Sequence, residues 1–248
     1  MANSNYSAFA AVYDALMGNV DYSGRADYIM SILDKFNHPA GITLDLACGT
    51  GNMTFELYKR GVDVYGVDAS PEMLMEAKDK AYDMEADILF LCQKMQDLDL
   101  YGTVNTVVST LDSINHLKSF DDIKKTFMKV SLFMEESGLF IFDFNTVYKH
   151  KEILGNNTFI YDLGSIFCAW QNRYTEKNNR VTIDLDFFTR KEKLYERESE
   201  HFSEITFNTD VIRSLLLECG FKDVHIYDDM SFNTPAAKSQ RVVFVAVK

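Results

Sequence analysis

The run Leu44–Thr54 contains the residues whose spacing points most directly to chemistry. Gly49 and Gly51 flank a single residue where an apolar, strand-like run must turn sharply into a helix. Glycine adopts backbone conformations that a Cβ would block, and it lets a ligand lie against the chain. Asp68 ends the next apolar run, where a carboxylate can accept hydrogen bonds from both ribose hydroxyls. This pair predicts a site for an adenosine-containing cofactor, although a plain strand-to-helix turn would explain the glycines alone.

Two nearby positions narrow the choice of cofactor. A dinucleotide site usually has a third glycine at the position where this chain has Thr54. Ser70, directly before Pro71, is a good N-cap for the following helix, so we expect the Asp68 carboxylate to stay free for a ligand. Binding of NAD or FAD is therefore the less favoured interpretation.

A second polar cluster, Ser109–His116, follows the fourth predicted strand. Open α/β sheets bind their ligands at the carboxyl ends of the strands, so we expect the chemistry at this edge. Asp112 and His116 could take a proton from an acceptor or bind an ammonium group, whereas Asp112 could equally cap the next turn. Tyr6 and Tyr13 lie on one face of a predicted helix, where they could face a positively charged ligand or form core packing.

Apolar runs alternate with amphipathic segments along the first part of the chain. This alternation is typical of a parallel sheet built from βαβ units. Two helices are predicted before Pro39, and strands are predicted at Ile42–Leu46, Val62–Val67, Ile88–Cys92, Val104–Val108 and Leu139–Phe144.

The pattern changes at about Val147, after which apolar and polar residues alternate as far as Phe207. An inserted antiparallel sheet is predicted there, with a hairpin turn at Asn178 and Asn179. The helical pattern then resumes, with Thr209 predicted as the N-cap of a helix that ends at Gly220. A final hairpin of Val224–Tyr227 and Val242–Val247 would complete the main sheet.

These elements predict an α/β fold. It consists of a Rossmann-like, seven-stranded, doubly wound sheet with an antiparallel C-terminal strand, plus a small inserted antiparallel β-sheet. Residues 1–146 and 208–248 would form the cofactor-binding domain with its N-terminal helices. Residues 147–207 would form an inserted lid or substrate subdomain.

Two motifs carry a resemblance to a known family. The run Asp45–Gly51, followed by Val67–Leu74, resembles motif I and its successor in class I methyltransferases that depend on S-adenosylmethionine (SAM). Tyr6–Met17 and the inserted β-segment resemble a small bacterial subgroup, near sugar N-methyltransferases and glycine N-methyltransferase-like enzymes. The resemblance implies SAM as cofactor and S-adenosylhomocysteine (SAH) as product. It also implies direct transfer of the methyl group to nitrogen or oxygen of a small-molecule acceptor.

The resemblance further implies roles for individual residues. Asp45 would lie near the methionine amino group, Asp68 would hold the ribose hydroxyls, and Met73 would pack near the adenine. Where many relatives have an acid that reads adenine, this chain has Lys94, which cannot accept a hydrogen bond, so Met95 and Gln93 are assigned instead. The implied cofactor-binding set is Tyr6, Tyr13, Asp45, Ala47, Cys48, Gly49, Gly51, Asp68, Ala69, Met73, Gln93, Met95, Leu111 and Asp112.

The acceptor side is assigned from the second cluster and the insertion. Asp112, His116 and Tyr13 are the candidate catalytic residues. Acceptor-binding residues are expected to be Asn115, His116, Trp170 and Tyr174, with Trp170 ranked first among the aromatic residues of the insertion. Most of those aromatic residues could instead form sheet core.

Composition excludes several classes of partner. The chain has 25 Lys and Arg residues and 37 Asp and Glu residues, which gives a formal charge of −12. This negative charge disfavours binding to nucleic acid and to anionic membranes. Cys48, Cys92, Cys168 and Cys219 are far apart, which predicts reduced core residues and no metal site. No signal peptide or membrane-spanning run is recognised, so a cytoplasmic protein is expected. A non-catalytic SAM-binding protein and a nucleotide-dependent oxidoreductase are the alternative functions.

Overall fold

A computed structural model describes residues 13–248. Its central sheet has seven strands, in the spatial order β3 (Phe90–Cys92), β2 (Asp63–Asp68), β1 (Ile42–Leu46), β4 (Val104–Ser109), β5 (Met134–Asn145), β11 (Arg241–Val247) and β10 (Asp223–Asp228). β11 runs antiparallel to both of its neighbours, and the pairs among β1–β5 are parallel. This is the predicted doubly wound sheet with an antiparallel last strand.

Helices cover both faces of the central sheet. They are α1 (Tyr22–Lys35), α2 (Asn52–Lys59), α3 (Pro71–Asp83), α4 (Phe120–Phe133) and α5 (Thr209–Glu218). The alternation of β5 sends Phe140 and Phe142 into a core with α4 and α5, and it sends Leu139 and Ile141 into a core with α1 and α2. β5 is therefore buried on both faces, as its continuous apolar run predicts.

The predicted insertion is a separate four-stranded antiparallel sheet. Its order is β6 (Thr158–Asp162), β7 (Ile166–Thr175), β8 (Arg180–Lys191) and β9 (Leu194–Ile205). The turn between β7 and β8 contains Asn179 with a φ of 47°, which confirms the hairpin predicted there. One face of β8 is apolar through Val181, Ile183, Leu185 and Phe187. The domain boundaries at residues 147 and 207 stay a prediction.

Several local predictions need correction. β3 begins at Phe90 rather than Ile88, and β5 begins at Met134 because a backbone bend with a φ of 64° at Ser137 lets pairing start earlier. Asn208, not Thr209, is the N-cap residue of α5. All four cysteines are free, but Cys92 is exposed rather than in the core, because it ends β3 at the edge of the sheet. Within residues 13–248, no helix is both long and apolar enough to cross a bilayer.

Candidate active site

The turn after β1 separates the roles of its two glycines. Gly49 has a φ of 54°, and a Cβ added to it would meet nothing within 4 Å. Gly51 has a φ of 81°, and its Cβ would lie 2.9 Å from the Phe55 ring. Gly51 is therefore required by backbone conformation and packing at the start of α2. The open space beside Gly49 is available to a ligand.

Asp68 ends β2 against this turn. Its Oδ2 accepts a hydrogen bond from the Gly49 N–H at 2.8 Å, and its Oδ1 accepts one from the Ser70 N–H at 2.8 Å. Ser70 caps α3 as predicted, since its Oγ accepts from the Met73 N–H at 3.2 Å. The Asp68 carboxylate is thus not free of protein contacts. Each of its oxygens keeps a second lone pair for a ribose hydroxyl. Burial raises the pKa of Asp68, against the opposing effect of these bonds.

Asp45 is a second buried carboxylate below the same turn. It is 1% exposed, and its Oδ2 accepts a hydrogen bond from Thr54 Oγ1 at 2.6 Å. Burial raises the pKa of Asp45 to about 7, and the nearby charge of Asp68 adds to this shift. A cationic ligand group beside Asp45 would favour its ionised form.

Asp14 ties the N-terminal segment to the glycine-rich turn. It accepts hydrogen bonds from Thr50 Oγ1 at 2.7 Å and Asn52 Nδ2 at 2.9 Å, and it pairs with Lys80 at 2.5 Å. These contacts fix the helical turn at residues 13–16, so that Tyr13 borders a small pocket of about 40 Å³ beside the turn. Tyr6, assigned with Tyr13 from the sequence, lies outside the described residues.

The backbone after β4 adopts an unusual conformation. Leu111 and Asp112 have consecutive positive φ values of 57° and 55°. Their N–H groups donate to the two oxygens of Asp143 at 2.7 and 2.6 Å. Arg241 bridges the two acids, at 3.0 Å from Asp143 and 2.5 Å from Asp112. Burial disfavours the ionised form of Asp112, but the nearby charges of Arg241, Lys149 and His116, together with the Arg241 hydrogen bond, hold the pKa of Asp112 below its usual range.

A cavity of about 450 Å³ lies between this turn and the inserted sheet. Its apolar walls include Leu16, Leu154, Phe159, Trp170, Leu185 and Phe202. Its polar wall includes Asp112, His116, Lys149, Glu204 and Arg241. Tyr13 and Leu111 border both this cavity and the small pocket beside the glycine-rich turn. The two spaces are therefore adjacent.

Comparison with known proteins identifies the family. The family described as a methyltransferase domain matches residues 43–138. YqeM from Bacillus subtilis (strain 168), which carries a provisional methyltransferase name, is 33% identical over 244 residues, covering 98% of this chain and 97% of YqeM. A crystal structure of an S-adenosylmethionine-dependent methyltransferase from Clostridium acetobutylicum ATCC 824 is 32% identical, with a TM-score of 0.88 and 98% coverage of each chain. This chain belongs to the SAM-dependent methyltransferases.

A more distant structure shares the fold. The sugar N-methyltransferase KedS8 from Streptoalloteichus sp ATCC 53650 is 18% identical, with a TM-score of 0.78 and coverage of 96% of this chain and 92% of that chain. The class I assignment made from Asp45–Gly51 and Val67–Leu74 is confirmed, as is SAM as the cofactor.

The residues of the methyltransferase fit the cofactor. Asp45 and Gly49 line the small pocket beside the turn, and Asp68 contacts Gly49. The roles of Asp45 toward the ammonium group of SAM and of Asp68 toward its ribose hydroxyls stay a prediction. Ala47 and Cys48 border the small pocket beside the turn. Met73 is buried in α3, and Met95 is half-buried after β3. Gln93 fits less well, because its amide group bonds to the backbone of Asp99 in both directions at 2.9 Å.

Two assigned acceptor residues do not reach the cavity. Asn115 is fully buried, and its amide bonds the backbone N–H of Asn145 at 2.9 Å and the carbonyl oxygen of Ile205 at 2.9 Å. Tyr174 donates to Asn179 Oδ1 at 2.8 Å instead of lining the cavity. Asn115 points into the protein from the 3₁₀ turn Ser113–His116, and Tyr174 lies near the end of β7, where it contacts the turn at Asn179. Trp170 and His116 do line it.

Sequence reasoning missed several polar groups that the fold brings to the site. They are Asp14, Asp143, Lys149, Glu204 and Arg241. Glu204 also bears on the prediction that the chain has no metal site, because ligand atoms of Asp112, His116 and Glu204 lie within 4.8 Å of one another. Glu204 is far from Asp112 and His116 in the sequence, so no short metal-binding motif predicts the cluster. Arg241 and Lys149 lie on the same wall and oppose a divalent cation there.

Asp68→Ala is expected to weaken SAM binding by roughly tenfold to a hundredfold, because two ribose hydrogen bonds to a charged oxygen are lost. Calorimetric titration with SAM measures the change. Asp63→Ala, an exposed acid at the other end of β2, is the matched control and should bind SAM normally. Unchanged SAM affinity in a folded Asp68→Ala protein would remove Asp68 from the cofactor site.

Proposed function

We propose that this methyltransferase transfers the methyl group of SAM to nitrogen or oxygen of a small-molecule acceptor held in the 450 Å³ cavity. The observation that carries the proposal is the adjacency of the two spaces, since Tyr13 and Leu111 border both. A cavity of this size suits a small ligand. The name of KedS8 describes a sugar N-methyltransferase, which supports a small acceptor.

The proposed mechanism is a direct displacement. When bound, SAM supplies a methyl group already activated by its sulfonium charge, so no covalent enzyme intermediate is needed. The protein's contribution is to align the acceptor, exclude water and receive a proton. Tyr13, Leu16 and Trp170 exclude water from the cavity, whereas Asp112 and His116 are placed to orient a polar acceptor group.

The net charge and the sequence features bear on the class of acceptor and on the location of the protein. The charge of −12 disfavours nucleic acid as the acceptor, and a cytoplasmic location is proposed from the sequence features. The decisive experiment is a screen of amines, sugars and small acids for release of SAH. Binding of SAM with no SAH release from any acceptor class would favour a non-catalytic SAM-binding protein.

Asp112→Asn should lower kcat at least about tenfold while changing the dissociation constant of SAM by less than about threefold. The loss arises because the neutral amide no longer pairs with Arg241 and no longer offers a charged oxygen to the acceptor. Asp121→Asn, an exposed first-turn acid of α4, is the control. The measurement is steady-state SAH release with the best acceptor from the screen. Equal losses in kcat and SAM affinity would argue against an acceptor role for Asp112.

A further inference from the structure

Glu204, the penultimate residue of β9, has one carboxylate oxygen fixed by hydrogen bonds and lines the cavity. Its side chain is 4% exposed. Oε2 accepts a hydrogen bond from Asn145 Nδ2 at 3.0 Å and lies 3.1 Å from His150 Nε2. Oε1 makes no hydrogen bond with any group in residues 13–248, and His116 Nε2 lies 4.0 Å away. Since Glu204 lines the cavity, Oε1 is available to a ligand.

The fully buried His150 helps to fix the Glu204 carboxylate. Its Nδ1 lies 3.2 Å from the carbonyl oxygen of Asn179, and its Nε2 lies 3.1 Å from Oε2 of Glu204. His150 and Asn145 therefore position Glu204 through Oε2 and leave Oε1 unused by either residue.

Three polar atoms surround one small space at this end of the cavity. His116 Nε2 lies 3.8 Å from Asp112 Oδ2 and 4.0 Å from Glu204 Oε1, both too long for direct hydrogen bonds. One ligand atom from each of the three residues lies within 4.8 Å of the other two. One ligand atom placed against them would reach each at about 2.7–3.2 Å. An amine nitrogen can supply several N–H donors to this space, whereas a hydroxyl supplies a single donor.

The neighbouring cations leave these atoms available. Arg241 uses Asp112 Oδ1, at 2.5 Å, and Lys149 Nζ donates to Asn145 Oδ1 at 2.8 Å. Asp112 Oδ2 and Glu204 Oε1 therefore face the space. A divalent metal ion would meet the repulsion of Arg241 and Lys149, while an amine adds at most one charge. The arrangement suits an amine better than a metal ion.

We propose that Glu204 binds the acceptor and that the acceptor is a primary or secondary amine. This inference rests on the proposed function. The nitrogen lone pair forms the new C–N bond as the bond between the methyl carbon and sulfur breaks, and the electron pair of that bond stays on sulfur in SAH. The methylated ammonium then gives one N–H proton to Oε1 of Glu204, which returns it to solvent after product release.

The test uses the full-length protein with saturating SAH and two matched probes, cyclohexylamine and cyclohexanol. Trp170 is the only tryptophan of the chain and lines the cavity, so its fluorescence reports occupancy. The native protein should bind the amine roughly tenfold or more tightly than the alcohol. Glu204→Gln should remove this preference and leave binding of the alcohol within twofold. Glu204→Asp retains the charge and should keep part of the preference for the amine. It is the second test variant if Glu204→Gln folds poorly.

Glu152→Gln is the control, because Glu152 is an exposed acid in the same short helix, Lys149–Leu154, as His150. It should keep the native preference. An amine preference that survives in Glu204→Gln, or its absence in the native protein, would overturn the inference. A fluorescence response to Zn²⁺ or Mg²⁺ without one to the amine would also overturn it and favour a metal.

Failure of the inference is distinguishable from failure of the proposed function. SAH release with hydroxyl acceptors, unaffected by Glu204→Gln, would retain methyl transfer and reject the amine. Amine-selective binding without SAH release from any acceptor would retain the binding role of Glu204 and reject transfer. The pH profile of amine methylation adds a second readout, since Glu204→Gln should shift it whereas a purely structural role would not. The other titratable or charged groups around the site are Asp112, His116, Lys149, Arg241, Arg25, Tyr13, Tyr161 and Cys168, which line the cavity, and His150, which contacts Glu204.

Discussion

Replacing Asp143 with alanine is expected to lower the free energy of unfolding by about 3–5 kcal/mol and to remove most methyl transfer. Asp143 is 3% exposed and pairs with Arg241, so its loss leaves a buried guanidinium with less compensation. It also leaves the N–H groups of Leu111 and Asp112 without their acceptors. Chemical denaturation measures the stability, and SAH release measures the transfer.

The effect on transfer follows from backbone strain. Leu111 and Asp112 both have positive φ, a conformation that costs of order 1–2 kcal/mol for each non-glycine residue and persists when surrounding contacts impose it. Without Asp143 the turn is expected to relax and to carry Asp112 away from the cavity. Turnover should therefore decrease more than SAM affinity. The turnover of Asp143→Asn should lie between those of Asp143→Ala and the native protein.

Asp229→Ala provides the matched control for Asp143. Asp229 is a half-buried acid that pairs with Arg25 at 3.0 Å, and Arg25 also lies 3.8 Å from Asp143. Because this pair is more exposed, its loss should cost no more than about 1 kcal/mol. If Asp143→Ala is no more damaging than Asp229→Ala, the Leu111–Asp112 turn does not depend on the Asp143 carboxylate.

The sheet and the cofactor turn were predictable because their signals are local. The alternation of strands and helices reports which surfaces must be buried, and Leu139–Phe144 is apolar because β5 is covered on both faces. Gly49, Gly51 and Asp68 were predictable because parallel strands end at the same edge of a sheet. Asp143 also left a signal, as the single charged residue inside that apolar run.

The acceptor side was less predictable because it is assembled by tertiary folding. Glu204 looked like one of many acids in an alternating strand, and only the position of β9 brings it to His116. Asn115 and His116 are adjacent and equally polar in the sequence. Yet the short 3₁₀ turn Ser113–His116 buries Asn115 completely and leaves the His116 side chain 41% exposed. No sequence periodicity distinguishes them.

Glu200→Gln is expected to change how stability depends on pH. Glu200 lies opposite Leu185 in the register of β8 and β9, so it shares the apolar face and is only 6% exposed. Burial, aided by the charge of Glu198, raises its pKa from 4.5 to about 7. Between these values the native state binds more protons than the unfolded state. The contribution of Glu200 to stability is therefore present below about pH 4.5 and is lost as the pH rises to about 7.

Glutamine does not titrate, so the stability difference between Glu200→Gln and the native protein should shift by about 2–3 kcal/mol in favour of the variant from pH 4 to pH 8. Denaturant titrations at both pH values measure it. Glu196→Gln, an exposed acid on the same strand, should show a difference that stays within about 0.5 kcal/mol over that range. A parallel pH response of the native and Glu200→Gln proteins would contradict the raised pKa.

β9 is the edge strand of its sheet, and an inward-facing charge at an edge discourages pairing with a second sheet. Glu200→Gln should consequently also associate more readily above pH 7, where only the native residue is charged.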